Sequence, residues 1–191
     1  MALTAFFSGS GQETPKDLTK TYTFTAEYEY RYVDDGTVAI TFQFSGNSFL
    51  KISYGNGEEF MLLDSEDGFT ADNFGGTIKL KELPGSQREE STIALTHKGT
   101  IHYKGYDCDV YHVVRGDDLL KFYFEKKASA NFNALMVRLL AVKGFNVDES
   151  SVPKGKLIAG MEVKDGKDTD IIALAGVKED QNITFTLKTS R

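Results

Sequence analysis

The chain has 191 residues, of which 40% are hydrophobic and 26% are charged, and its net charge is −6. This length suits one domain, and the composition is that of an ordinary globular protein. The net charge is negative and no basic run appears, which argues against a nucleic-acid partner because phosphate binding needs clustered Lys and Arg. No apolar run approaches the roughly 20 residues that a spanning helix needs, so we expect a protein that does not span a membrane.

The N-terminal residues predict a flexible segment rather than part of the fold. The stretch SGSGQETPKDLTK is polar and rich in small residues, as flexible linkers are. We therefore expect a flexible segment over residues 1–20 and a single domain over residues 21–191. The start MALTAFFSGSGQ lacks the basic region of a signal peptide. Two locations stay open: periplasmic or extracellular after removal of a signal, or cytoplasmic if Met1 is the native start.

Alternating apolar and polar residues then predict a series of strands. In residues 22–32 every second residue is Tyr, Phe or Ala and the others are mostly Thr, Glu and Arg, which predicts one long strand with one buried face. A similar run over 37–44 follows the turn Asp-Asp-Gly, and the runs 49–54 and 59–63 flank Gly-Asn-Gly, a strong hairpin signal. Further strands are predicted at 77–83, 91–95, 99–103, 106–114, 119–125, 157–163, 170–174 and 183–187.

One segment predicts a helix and thereby the architecture. Residues 128–142 have apolar side chains at helical spacing, and Gly144 is a typical helix stop; a second short helix is predicted near 148–152. About ten antiparallel strands need cover on their apolar side, and one helix cannot shield a flat sheet of that width. We therefore predict a mainly β (α+β) fold: a strongly curved antiparallel sheet or half-barrel of about ten strands covering one main helix. The alternative is a closed, lipocalin-like barrel.

The stretch HKGTIHYKGYDCDVYH, residues 97–112, contains all three histidines and the only cysteine of the chain. Its Lys-Gly pair predicts a two-residue turn between two strands. The resulting register pairs Tyr103 with Tyr106, Ile101 with Cys108, Gly99 with Val110, and His97 with His112. His102 points to the opposite face, near Asp107.

This register limits the chemistry of the stretch. Cys108 and His112 lie four strand positions apart, about 13 Å, which is too far for a shared zinc ion or a direct Cys/His catalytic pair. Only His97 and His112 could meet, and two ligands make an incomplete metal site. We therefore expect packing residues here, with no catalytic residue and no metal. The lone Cys108 also excludes an internal disulfide, which is compatible with the cytosol and with export.

The aromatic residues allow two interpretations. The chain has 14 Phe and 9 Tyr and no Trp, and many lie on one face of the first predicted hairpin. They could form a plain core, or they could line an apolar cavity between sheet and helix that holds an acyl chain or a similar ligand. The predicted lining consists of Phe24, Tyr28, Phe42, Phe44, Phe132, Met136 and Leu139. No phosphate-binding glycine loop precedes a helix, so we expect no nucleotide and no cofactor.

Three short segments resemble a known family. The segments Tyr-x-Phe at 22–24, Phe-Met-x-x-Asp at 60–64 and Gly-Tyr-x-Cys-x-x-Tyr at 105–111 resemble a group of exported bacterial proteins, the domain-of-unknown-function family 4412. The resemblance implies export and a fold similar to that of the periplasmic lipoprotein carriers LolA and LolB. It implies no catalytic residues.

The sequence thus predicts a non-catalytic exported protein, periplasmic or of the cell envelope, with an apolar cavity for a lipid or another hydrophobic small molecule. The alternative is a structural or protein-interaction module of the envelope that uses exposed strand edges and has no small-molecule ligand. A third hypothesis, a metal-dependent enzyme, would need His97 and His112 to share an ion.

Overall fold

The structure is a computed structural model that describes residues 18–83, 93–116, 118–127, 135–137 and 147–189. These residues contain thirteen strands. The strands are β1 (Leu18–Phe24), β2 (Ala26–Tyr32), β3 (Val38–Ser45), β4 (Phe49–Tyr54), β5 (Glu59–Asp64), β6 (Phe69–Phe74), β7 (Thr77–Glu82), β8 (Thr96–Tyr103), β9 (Tyr106–Arg115), β10 (Asp118–Glu125), β11 (Ile158–Asp165), β12 (Asp168–Lys178) and β13 (Ile183–Thr189).

Eleven strands form one antiparallel sheet in the order β7-β6-β5-β4-β3-β2-β12-β11-β10-β9-β8. The remaining two, β1 and β13, pair with each other and are called the ribbon below. The predicted mainly β fold is confirmed. A closed barrel is wrong, because β7 and β8 stand at opposite ends of the strand order and do not pair.

The prediction of one continuous strand over 22–32 is wrong, because this segment forms two strands, β1 and β2, in two different sheets. Thr25 interrupts it: its N–H donates to the Phe44 carbonyl at 3.0 Å, and its own carbonyl accepts from the Gln181 N–H at 2.9 Å. On one side of this break β1 joins the ribbon, and on the other β2 lies between β3 and β12. Period-two alternation indicates a buried face, but it does not indicate which layer buries that face.

One observed strand, β6, has no counterpart among the predicted strands. Its Asp-Asn pair at positions 72 and 73 is typical of a turn. In the fold both side chains have partners: the Asp72 carboxylate is 3.0 Å from Lys81 Nζ, and Asn73 Nδ2 donates to the Glu58 carbonyl at 2.9 Å. Of the predicted strand at 91–95, Ile93 forms only an isolated parallel bridge with Val147, and residues 91–92 lie outside the described residues.

The predicted helix over 128–142 is described only at residues 135–137, which are helical and buried. The rest of it lies outside the described residues. The predicted short helix near 148–152 is a single 3-10 turn, Glu149–Ser151. The first strand, β1, begins at Leu18, and residues 1–17 of the predicted flexible segment lie outside the described residues. The described residues include no helix long and apolar enough to cross a membrane.

The main sheet separates two apolar clusters. The inner cluster joins side chains from both halves of the sheet with residues 135–137, and the outer cluster lies between the ribbon and β5–β7. A third, smaller cluster lies around Cys108. There the sheet bends sharply, because the Tyr103 hydroxyl in β8 donates to the Ile172 carbonyl in β12 at 3.2 Å. Four strand spacings would separate these strands by about 19 Å in a flat sheet.

Candidate binding surfaces

The hairpin of β8 and β9 has the predicted turn. Lys104 and Gly105 have φ angles of 49° and 92°, as a two-residue turn with two positive φ angles requires. Tyr103 pairs with Tyr106, Ile101 with Cys108 and Gly99 with Val110. These three predicted pairs are confirmed, so the turn sets the register up to Gly99.

Beyond Gly99 the predicted pairing of His97 with His112 is wrong. A β-bulge between His97 and Gly99 inserts one residue, so Thr96 lies opposite His112 and His97 lies opposite Tyr111. One inserted residue moves the following side chains to the other face of the sheet. The His97 ring accordingly lies 5.2 Å from the ring of Tyr111, on the face opposite His112. The two histidines therefore cannot share a metal ion.

The other groups of this stretch do not assemble a reactive site either. His102 faces Asp107 as predicted, with Nδ1 3.0 Å from Oδ1 and both side chains exposed. Burial, together with the nearby Lys121 and Lys98, lowers the pKa of His112. Within the described residues, no group of three or more His, Cys, Asp and Glu side chains is placed to hold a metal ion.

The Cys108 side chain is fully buried in the third cluster, beside Val110, Tyr123 and Ala159. Its Sγ lies 3.6 Å from the Tyr106 carbonyl oxygen. Burial, followed by the charges of nearby Glu125 and Asp107, raises the pKa of the Cys108 thiol to about 11. This thiol therefore behaves as a packing group rather than as a nucleophile.

We expect the folded protein to resist alkylation by iodoacetamide at pH 8. With a pKa of about 11, roughly one thiol in a thousand is ionised at that pH, and only the thiolate reacts. The measurement is the labelling rate by intact-mass spectrometry, with the urea-unfolded protein as control; equal rates in both states would contradict the burial of Cys108.

Because the pKa of the Cys108 thiol is higher in the folded protein, the protonated thiol stabilises the fold below pH 9. This contribution is lost as the pH rises towards 11.

The residues predicted to line an apolar cavity are only partly brought together. Tyr28, Phe42, Phe44 and Met136 all lie in the inner cluster, and the Tyr28 and Phe44 rings stack with centroids 5.3 Å apart. Phe24 lies instead in the outer cluster, because the break at Thr25 moves β1 into the ribbon. Phe24 therefore does not lie with the other described residues of the predicted lining. The remaining two residues, Phe132 and Leu139, lie outside the described residues.

A buried carboxylate joins the ribbon to the main sheet. The Asp64 side chain is fully buried, and its Oδ2 accepts from Lys20 Nζ at 2.6 Å and from the Tyr22 hydroxyl at 3.0 Å. Its Oδ1 accepts from the N–H groups of Glu66 and Asp67 at 3.0 and 2.9 Å. The contacts with the ribbon depend on tertiary packing that no local pattern in the sequence shows.

A buried amine lies on the same outer face. Lys51 Nζ contacts the oxygen atoms of Ser53 and Gln43 at 2.5 and 3.3 Å and lies 4.9 Å from the ring centroid of Phe185 in the ribbon. Burial lowers the pKa of Lys51. The ribbon covers this face of β4 and thereby buries the lysine.

A cleft of about 410 Å³ opens on the outer face, where the ribbon begins beside β6 and β7. It is lined by Leu18, Asp67, Gly68, Phe69, Leu80, Lys81, Glu82 and Leu83. The cleft therefore combines apolar side chains with two carboxylates at the edge of the sheet. Since its residues come from three separate strands and two loops, no single motif in the sequence indicates it.

Comparison with known proteins places the chain in no family. No family model matches it, and no curated protein does. Nine solved chains match, among them a DUF1329 family protein from Desulfovibrio piger. The match covers 86% of each chain, with 9% sequence identity and a TM-score of 0.24. The Desulfovibrio piger protein is thus a weak structural neighbour, from a bacterial family of unknown function. The resemblance to family 4412 and the likeness to LolA and LolB stay predictions.

Proposed function

We propose that the protein is a non-catalytic binding protein of the bacterial cell envelope that holds a lipid or another hydrophobic small molecule against the inner face of its sheet. The observation that supports this proposal is the aromatic character of that face. The inner cluster includes the rings of Tyr28, Tyr30, Phe42, Phe44, Tyr54, Phe122 and Phe124. Sites for apolar ligands are concave and lined mainly by apolar and aromatic side chains.

The polar atoms of this surface favour an apolar ligand. The Tyr30 hydroxyl donates to the Ile158 carbonyl at 2.8 Å, and the Tyr28 hydroxyl donates to Glu179 Oε1 at 3.0 Å. Both tyrosines are almost fully buried and both hydroxyls are already paired with protein groups, so a ligand packed against the inner cluster would meet hydrocarbon rather than polar atoms. Acyl chains are ligands of this kind, since burial of each CH₂ contributes about 0.8 kcal/mol.

The location in the cell envelope is supported by the sequence resemblance to an exported family. The segments at 22–24 and 60–64 meet in the fold, because the Tyr22 hydroxyl donates to the Asp64 carboxylate. The segment at 105–111 forms the β8–β9 turn and part of the third cluster. These contacts explain the three segments by packing, which agrees with a non-catalytic protein.

Titration with the apolar fluorophore 1-N-phenylnaphthylamine tests the proposal. We expect a saturable rise in emission that oleate reverses. Met136→Trp, which adds volume on the inner face, should weaken binding by about tenfold or more, because overpacking a filled site is unfavourable. Phe185→Trp on the outer face is the matched control and should bind normally. No saturable signal in the wild-type protein, or equal loss in both variants, would contradict the proposal.

The alternative, a protein-interaction module of the envelope without a small-molecule ligand, is favoured by the open sheet. Among the described residues, β7 and β8 each pair with one neighbour only. Such strand edges are templates for pairing with another chain. Measured binding of an extended peptide to one of these edges would support this alternative, and its absence at both edges would contradict it.

A further inference from the structure

We propose that the outer edge of β7 and the adjacent cleft bind an extended segment of a protein partner that carries one apolar side chain between two basic ones. The proposal rests on the alternative function, interaction through a strand edge. It assigns that interaction to the edge of β7 and specifies the side chains of the partner segment. The site lies on the outer face, so it does not compete with a ligand on the inner face.

The backbone of β7 presents hydrogen-bonding groups at its outer edge. In an antiparallel pair, alternate residues bond the neighbouring strand and the residues between them point away. The Leu83 N–H donates to the Gly68 carbonyl at 2.8 Å, which sets this alternation at the end of β7. The N–H and C=O groups of Ile78, Leu80 and Glu82 therefore point outwards. Within the described residues, no strand pairs with them.

The cleft lies where alternate side chains of an added strand would point. In strand addition, main-chain hydrogen bonds hold the peptide and pockets receive every second side chain. Leu80 and Phe69 belong to the outer cluster and line the cleft, so they give an apolar side chain a surface to pack against. The cleft volume of about 410 Å³ exceeds what one such side chain needs.

The charges around the cleft favour basic side chains beside the apolar one. The carboxylates of Glu82 and Asp67 line the cleft, and Glu82 is exposed. Lys20 neutralises part of the Asp67 charge at 2.8 Å. The cation of the lining, Lys81, contacts Asp72 at 3.0 Å. Residues 18–83 contain eleven Asp and Glu against five Lys and Arg, so the surrounding field attracts a basic segment.

The opposite edge fits a peptide less well. The β-bulge between His97 and Gly99 interrupts β8, and bulges twist an edge away from further pairing. The edge of β7 has no register shift along its pairs with β6, so it is the better template.

The test uses the unlabelled peptide acetyl-Lys-Thr-Leu-Thr-Lys-amide and isothermal titration calorimetry on the full chain. Its Leu and both Lys side chains lie on one face when the peptide is extended. We expect saturable binding that weakens with added salt, and about tenfold weaker binding for Glu82→Pro, which removes one outward N–H and one carboxylate. Thr100→Pro, at the equivalent outward position of β8, is the matched control and should bind like the wild type.

Three further outcomes separate the hypotheses. Equal binding of a peptide with Glu in place of both Lys would overturn the assigned charge chemistry. Loss of binding in Thr100→Pro but not in Glu82→Pro would move the interaction to β8 and overturn this site, while leaving the alternative function standing. No binding of either peptide to the wild type would overturn both. If circular dichroism shows that Glu82→Pro does not fold, two replacements test the same site. Glu82→Lys tests the carboxylate, and an N-methylated peptide tests the main-chain hydrogen bonds.

Discussion

Asp64→Ala is expected to lower the free energy of unfolding by about 3–5 kcal/mol, the range measured when one partner of a buried ion pair is removed. The substitution leaves Lys20 without the carboxylate that it contacts at 2.6 Å and leaves the Tyr22 hydroxyl without its acceptor. It also leaves two backbone N–H groups of the 65–68 turn unpaired. The ribbon should therefore loosen from the main sheet together with the turn.

Urea denaturation followed by circular dichroism measures this effect, and hydrogen exchange locates it. We expect β1 and β13 to lose protection before the inner strands do. Asp67→Ala is the matched control: Asp67 also contacts Lys20, at 2.8 Å, but its side chain is 55% exposed. An exposed ion pair contributes about 1 kcal/mol or less. Equal destabilisation by both substitutions would contradict the role assigned to Asp64.

Gly160→Ala is expected to lower stability by about 1–3 kcal/mol, the usual range for overpacking a well-packed site. A Cβ atom at position 160 would lie 2.5 Å from Tyr103 Cε1 and 2.7 Å from the Ile172 carbonyl oxygen. Tyr103 cannot move aside easily, because its ring stacks on that of Tyr123 with centroids 4.2 Å apart. The added methyl group would therefore push the β8–β9 hairpin away from β11.

Thermal unfolding of Gly160→Ala and Gly176→Ala gives a matched comparison. Gly176 is also a strand glycine, but a Cβ there would lie 4.0 Å from its nearest neighbour, the Glu29 Cβ. We expect this control to change stability by about 0.5 kcal/mol or less. A Gly160→Ala protein as stable as the control would show that the hairpin does not lie over β11 as described.

The alternation within each strand and the residues of each turn determine much of this fold locally. The hairpin turns at Gly36, at Gly55 to Gly57 and at Gly105 are visible in the sequence because their positive φ angles favour glycine. The mainly antiparallel class follows from those hairpins. The aromatic inner face is also predictable, because period two places Tyr28, Phe42 and Phe44 on buried faces of adjacent strands.

The features of the candidate sites depend on contacts between distant parts of the chain. One bulge at Gly99 separates His97 from His112, and its effect on the faces of the sheet cannot be read from turn signals alone.

The burial of Lys51 and Asp64 arises because a ribbon made from two ends of the described chain covers the outer face. Local periodicity and turn residues thus determined most of the strands and hairpins, but not β6 or the break at Thr25. Only the tertiary structure decided which layer each strand joins, because period two specifies that a face is buried and not what buries it.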